Sequence, residues 1–265
     1  MCGKERKMTT VKEVIASGIT PIFLEYSRVK LFESDEKILR SFITVNSLDL
    51  GTLGYRQYRF VARRTKLGAA LVRRHLEKLF RVMPEILRAD PEISLVTVPV
   101  YAKLLTEGEL AAMLVDIQSL YFEVPPRKVC IELSADILYE DLSVIGEKIS
   151  ELRNLGYKVA ICEVGDCFCP VFRLSEIEFD YAFMDSYSTE SLDKDTCERI
   201  AGSLVHYLHH LDAKVIAPGL DSKEKIEGAK RIAIDGYTED ATEVITFEEE
   251  TDDSPEENLS EEEIE

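Results

Sequence analysis

Short runs of β-branched and aromatic residues alternate along the chain with stretches whose apolar positions recur at helical spacing, the order expected of parallel βα units. We read Thr20–Leu31, Ile38–Asn46, Ile93–Val100, Lys128–Leu133, Lys158–Glu163, Asp180–Asp185, Lys214–Ala217 and Arg231–Ile234 as strands. Between them, Leu71, Val72, Leu76, Leu79 and Phe80, then Leu110, Met113, Leu114 and Ile117, Ile145, Ile149 and Leu152, and Ile200, Leu204, Leu208 and Leu211 each mark one face of a helix. Eight strands with interleaved helices predict an α/β protein closed into a (β/α)8 barrel. Only Phe32–Lys37 separates the first two strands, too short for a crossover helix, so that pair is expected as an antiparallel hairpin. An open doubly wound sheet is the alternative, but no glycine-rich phosphate loop follows the first strand. Pro84, Pro125 and Pro126 are placed at element ends, where a missing N–H does little harm.

Charge changes this picture at one end. The 265 residues carry a formal net charge of −18, yet residues 238–265 hold 14 Asp/Glu and no Lys or Arg. The remaining body has 36 acidic against 32 basic residues. The division expected is an N-terminal segment 1–19, a barrel 20–237 and an acidic tail 238–265, too polar and too charged to offset the entropy of ordering. No apolar run reaches about 18 residues and no signal-peptide pattern is readable, so we expect a cytoplasmic protein with no membrane partner. Six cysteines in a chain of this length favour free thiols over a disulfide framework.

Three clusters invite chemistry. Cys162, Cys167 and Cys169 offer thiols at a spacing that is not a standard zinc pattern, and structural, metal-binding and redox roles stay open. His206 and His210 stand one helical turn apart beside His209, without a third ligand in view. Arg56, Arg59, Arg63, Arg64, Lys66, Arg73, Arg74, Lys78 and Arg81 face a single acid, Glu77, in a basic stretch read as a solvated helix face or a partner surface. Nucleic acid is disfavoured, because the body is net acidic and shows no recognition helix or stacking platform.

Several segments in order resemble the EAL family of cyclic-di-GMP phosphodiesterases: FLEYSRVKLFESDEKIL (Phe23–Leu39), VARRTKLG (Val61–Gly68), IELSADIL (Ile131–Leu138), LRNLGYKVAICEVGDCFCPVFRL (Leu152–Leu174), EFDYAFMDSY (Glu178–Tyr187) and KVIAPGLDSKEKIEGAKRIAIDGY (Lys214–Tyr237). The resemblance implies a TIM-like barrel with its first strand antiparallel. It also implies a mouth where two divalent metals would generate hydroxide and neutralise phosphate charge, which requires several converging carboxylates. Most of the corresponding positions are substituted. The motif glutamate falls on Phe42, the following arginine on Asn46, the metal-binding asparagine on Pro99, the aspartate pair on Cys162 and Glu163, the lysine on Phe183 and the general base on Pro218. Glu132 keeps a family ligand type, and Asp185 and Asp221 are residual carboxylates read as loop caps, as Glu132 is read as a strand-end carboxylate bonded to a backbone N–H or water. Where the family has two acids, Arg63 and Arg64 invert the sign.

The expectation is therefore a catalytically inactive EAL-like regulator or adaptor that binds a protein partner, with no metal and no cofactor. A non-hydrolysing receptor for cyclic-di-GMP or another nucleotide is the alternative; cyclic-di-GMP itself is disfavoured because phosphate donors are lost. An enzyme of altered chemistry using Cys162 and Glu163 is a third reading. The tail is expected to fold back on the Arg56–Arg81 stretch. A homodimer through Gly165–Pro170 stays open, although CFCP departs from the family pattern there.

Overall fold

The computed structural model describes residues 22–47, 51–63, 67–166, 169–190, 192 and 194–243. Strands β1 (Ile22–Leu31) and β2 (Lys37–Ser47) form the antiparallel hairpin, in register from Ile22 opposite Val45 to Lys30 opposite Lys37. A short strand β3 (Gly51–Leu53) extends β2 on its far end. Next come α1 (Tyr55–Ala62) and α2 (Leu67–Ala89), then β4 (Ile93–Val100), which runs parallel to β2. Helices α3 (Ala102–Thr106) and α4 (Glu109–Leu120) lead to β5 (Val129–Ser134), and α5 (Leu142–Asn154) to β6 (Lys158–Val164). β7 (Tyr181–Met184), α6 (Ser186–Thr189), α7 (Asp195–His209), β8 (Lys214–Ala217), α8 (Lys223–Arg231) and β9 (Gly236–Glu243) complete the order. β4 to β9 are successive parallel neighbours, and β9 returns antiparallel to β1, so eight strands close a barrel with β3 outside it.

Strand alternation sorts the side chains into two cores. Val29, Ile38, Leu95, Cys130, Ala160, Cys162, Phe183 and Ile216 fill the barrel interior. Leu39, Ile43 and Val45 point the other way and join the larger layer between strands and helices, with Leu76, Phe80, Ile117 and Ile149. Because Ile38 faces inward and Leu39 outward, Arg40 and Phe42 belong on the inward face, above Ile38 towards the C-terminal mouth. No helix among the described residues is long and apolar enough to cross a membrane.

The structure corrects the sequence reading at three places. Arg231–Ile234 is not the eighth strand: Arg231 ends α8, and the strand is Gly236–Glu243. GYTEDATE lacks an apolar pattern because its order comes from backbone pairing on both sides, to β8 and to β1, which composition does not reveal. Gly236 is required there, since a Cβ would stand 2.4 Å from the Lys30 carbonyl oxygen. The boundary at 237 and the tail start at 238 move accordingly, since barrel structure continues to Glu243; residues 244–265 lie outside the described residues. Finally, Pro84 sits inside α2, not at its end. An internal proline costs about 3 kcal/mol, but Leu79, Phe80, Met83 and Ile86 on both sides of it are buried and hold the helix together.

Candidate functional site

At the mouth, the carboxylate of Glu132 on β5 is 2% exposed. A charge so enclosed must be paired and hydrogen-bonded. Arg40, inward-facing on β2, supplies both: its Nε donates to Glu132 Oε2 at 3.1 Å and its Nη2 to Oε1. Thr97 on β4 donates its hydroxyl to Oε2 at 3.0 Å. The guanidinium lies between two aromatic rings, its carbon 4.2 Å from the centre of Phe183 and 5.3 Å from that of Phe42, an arrangement that adds cation–π attraction. Burial alone would lower the Arg40 pKa, but Glu132 outweighs it and holds the group charged. Behind this pair, Ser41 donates to the Thr97 carbonyl at 2.6 Å, and the buried His75 ring meets Ser41 Oγ at 2.9 Å. Burial pushes the His75 pKa down to about 3, so it is neutral, and with the Ser41 hydrogen committed to Thr97 its Nε2 must donate.

A second cluster surrounds Glu163 at the end of β6. Arg63, just past the end of α1, places Nη2 at 3.0 Å from both carboxylate oxygens; Arg59 of α1 binds Oε1 through Nη1, and the Ser134 hydroxyl donates to Oε2 at 2.7 Å. Burial would raise the Glu163 pKa, yet Arg63, the Ser134 hydrogen bond and Arg59 together hold it below the usual value. Glu163 adopts φ 64°, a left-handed conformation uncommon for a residue with a Cβ. This side chain remains 20% exposed.

The structure thus adds to one expectation and corrects another. Glu132, read as a strand-end carboxylate, is bonded to the side chains of Arg40 and Thr97, and Arg59 and Arg63 are not a solvated face but part of the mouth. Further along the basic stretch, Arg73 lies 3.6 Å from Glu77 within α2, and Lys78 stands over the ring of Phe23. Arg74 is half-buried and Arg81 exposed on the same helix. Arg64 and Cys167 and the side chains of Asn46 and Arg56 lie outside the described residues.

The remaining positions are dispersed. Asp185 caps α6, accepting from the Tyr187 N–H at 2.9 Å. Asp221 pairs with Lys225 at 3.0 Å on the surface. Pro99 is buried on β4, where the ladder to β2 has already stopped at Thr97, so its missing N–H costs no bond on that side. Pro218 follows the last residue of β8. Cys162 is buried in the barrel and burial raises its thiol pKa, which disfavours the thiolate that nucleophilic chemistry needs. His210 turns its Nδ1 to the His206 carbonyl at 2.8 Å and His209 meets Asp235 at 2.9 Å, so the three histidines converge on no common point.

A two-metal centre needs carboxylate oxygens with free lone pairs directed at the ions. Both oxygens of Glu132 are committed to a guanidinium, and both of Glu163 to two guanidiniums and a hydroxyl, so the residues present do not fit such a centre. Among the described residues, no group of three or more His, Cys, Asp and Glu is placed to hold a metal. Arg40 was the residue missed in the sequence. Its signal was its position: an arginine two residues from Ile38 and two from Phe42 in a strand shares their inward face and demands a buried anion.

Comparison with known proteins agrees with this architecture. The family model for the EAL domain matches residues 39–238. A solved EAL enzyme with cAMP and cyclic-di-GMP bound superimposes with a TM-score of 0.77 at 14% identity, covering 89% of this chain and 65% of that one. The FimX EAL domain from Pseudomonas aeruginosa, bound to c-di-GMP, gives 0.74 at 14% identity, covering 89% and 93%. An uncharacterized protein of Azorhizobium caulinodans is 24% identical over 113 residues, which span 42% of this chain and 15% of that protein. With three quarters of its length matched and a closed barrel of the same fold, the chain belongs to the EAL domain family.

Proposed function

We propose that this EAL domain acts by binding rather than by two-metal hydrolysis, as a regulator or adaptor in signalling. One observation carries the reading: the Arg40 guanidinium occupies both oxygens of Glu132, the position that the resemblance reads as keeping a family ligand, and packs on the rings of Phe42 and Phe183. A fixed organic cation stands against the carboxylate that a metal would need. A protein partner fits the outer surface. Ile200 and Tyr207 lie seven residues apart on α7, hence on one stripe, and Phe172, 86% exposed, packs its ring 6.2 Å from Tyr207. Ile200 is 68% exposed, so the stripe offers large apolar residues to solvent.

The test is incubation of the pure protein with cyclic-di-GMP and Mg2+ or Mn2+, with chromatography for the linear dinucleotide. No product above the buffer control is expected, and steady turnover would overturn the reading. A second reading, a non-hydrolysing cyclic-di-GMP receptor, is favoured by two structural neighbours whose structures hold that ligand. The expectation against this ligand, drawn from lost phosphate donors, has no support in these neighbours and is withdrawn. Calorimetry decides between the two: micromolar binding of cyclic-di-GMP favours the receptor, and silence at high concentration favours the adaptor.

A further inference from the structure

We propose that Arg59, Arg63 and Ser134 form a site for a phosphate group, and that Glu163 is its built-in occupant, which a ligand phosphate displaces. The donors already converge on Glu163: Arg59 and Arg63 reach it from the end of α1, and the Ser134 hydroxyl reaches it from β5, with the Asp136 carboxylate at a longer 4.0 Å from Arg63 Nη1. Arginine forks match phosphate as well as they match carboxylate.

Two features separate this site from a closed ion pair. The Nε of Arg63 is buried and has no hydrogen-bond partner. A carboxylate has two oxygens, both engaged here, whereas a terminal phosphate has three, so the extra oxygen supplies what that N–H lacks. Glu163 itself, at φ 64°, stands where the pairing of β6 with β7 shifts register between Ile161 and Val164. The way in is open: the side chains of Arg59, Arg63 and Glu163 are 27%, 15% and 20% exposed. The proposal rests on the reading that Glu163 pairs with arginine and holds no metal; the titrations contain no divalent metal, so their failure leaves the hydrolysis test untouched.

The experiment is calorimetric titration of the whole chain with inorganic phosphate and with pyrophosphate at constant ionic strength. Glu163→Gln removes the competing charge while keeping the size of the side chain, and should tighten binding by about tenfold or more. Adding Arg63→Gln to that variant should abolish it. Equal affinity of wild type and Glu163→Gln, or survival of binding without Arg63, overturns the proposal. If Glu163→Gln does not fold, the wild type decides: phosphate should raise its melting temperature above that in chloride of matched ionic strength, and Arg63→Gln should erase the difference. No difference in the wild type counts against the site. A cyclic-di-GMP arm tests the choice of a terminal phosphate: its phosphodiesters carry only two unbridged oxygens, so no competition with pyrophosphate is expected, and competition at equal affinity overturns the proposal.

Discussion

Glu132 and Glu163 close adjacent strands at the same mouth, and each is met by arginine and a hydroxyl. They differ in enclosure. Glu132 is sealed, with Arg40 held between two rings and a chain of hydrogen bonds running back through Thr97 and Ser41 to a neutral His75. Glu163 is one-fifth exposed, left-handed in its backbone, and gripped by Arg59 of α1 and by Arg63 just past its end. A buried pair behaves as a single structural unit, because separating its charges leaves one stranded in low dielectric. A partly exposed pair exchanges partners, because water and incoming ions compensate each half. The same chemistry thus serves as a rivet in one place and as a receptacle in the other.

The largest effect should come from breaking the rivet. Arg40→Met strands the Glu132 charge and should cost about 3–5 kcal/mol in urea unfolding. Adding Glu132→Gln should recover much of that loss, because no unpaired charge then remains. A cost near zero for the single variant would dissolve the distinction between the two sites. Acid comes next. Below the ordinary histidine pKa of 6.5 the unfolded His75 takes up a proton that the folded ring refuses until about pH 3. Stability should therefore fall by roughly 1.4 kcal/mol per pH unit across that window, and His75→Gln should flatten the slope.

The receptacle should respond more weakly. Arg63→Gln should cost about 1 kcal/mol, since Arg59 and solvent still serve Glu163. The Glu163 carboxyl should titrate below its ordinary 4.5 by NMR, so its contribution is present above that value and is lost as pH falls through the lowered one. In Arg63→Gln the titration should move back upward. Smallest of all, Asp221→Asn should change stability by no more than about 0.5 kcal/mol, because its Lys225 pair lies on the surface. A larger loss would mark a role at the mouth that its position does not suggest.

Strand and helix order were legible because period-2 and period-3.6 patterns depend only on which residues face a core. Lys214–Ala217 and Ile93–Val100 emerge with the bounds the pattern gave. β9 was illegible for the opposite reason: Gly236–Glu243 is polar and earns its place by closing the ladder between β8 and β1, a property of two distant strands. At the site, the resemblance supplied only expected departures, Phe42, Pro99, Cys162 and Phe183, read one at a time; that Phe42 and Phe183 lie against Arg40 was decided by the fold. Which charge met which could not be read, because Arg40 and Glu132 are 92 residues apart and Arg63 and Glu163 are 100 apart.

By itself, then, the sequence determined the alternating α/β order and the antiparallel start, which follow from local periodicity and short-range spacing, while the family of the barrel was carried by the resemblance of its segments to the EAL domain. Tertiary structure decided what the mouth became. Closing the ring carried an inward arginine of β2 onto a glutamate of β5 and brought the end of α1 against β6. Burial then converted a guanidinium that would be one more surface charge into a fixed counter-ion, because in a low-dielectric interior a charge stays only where a partner is built for it.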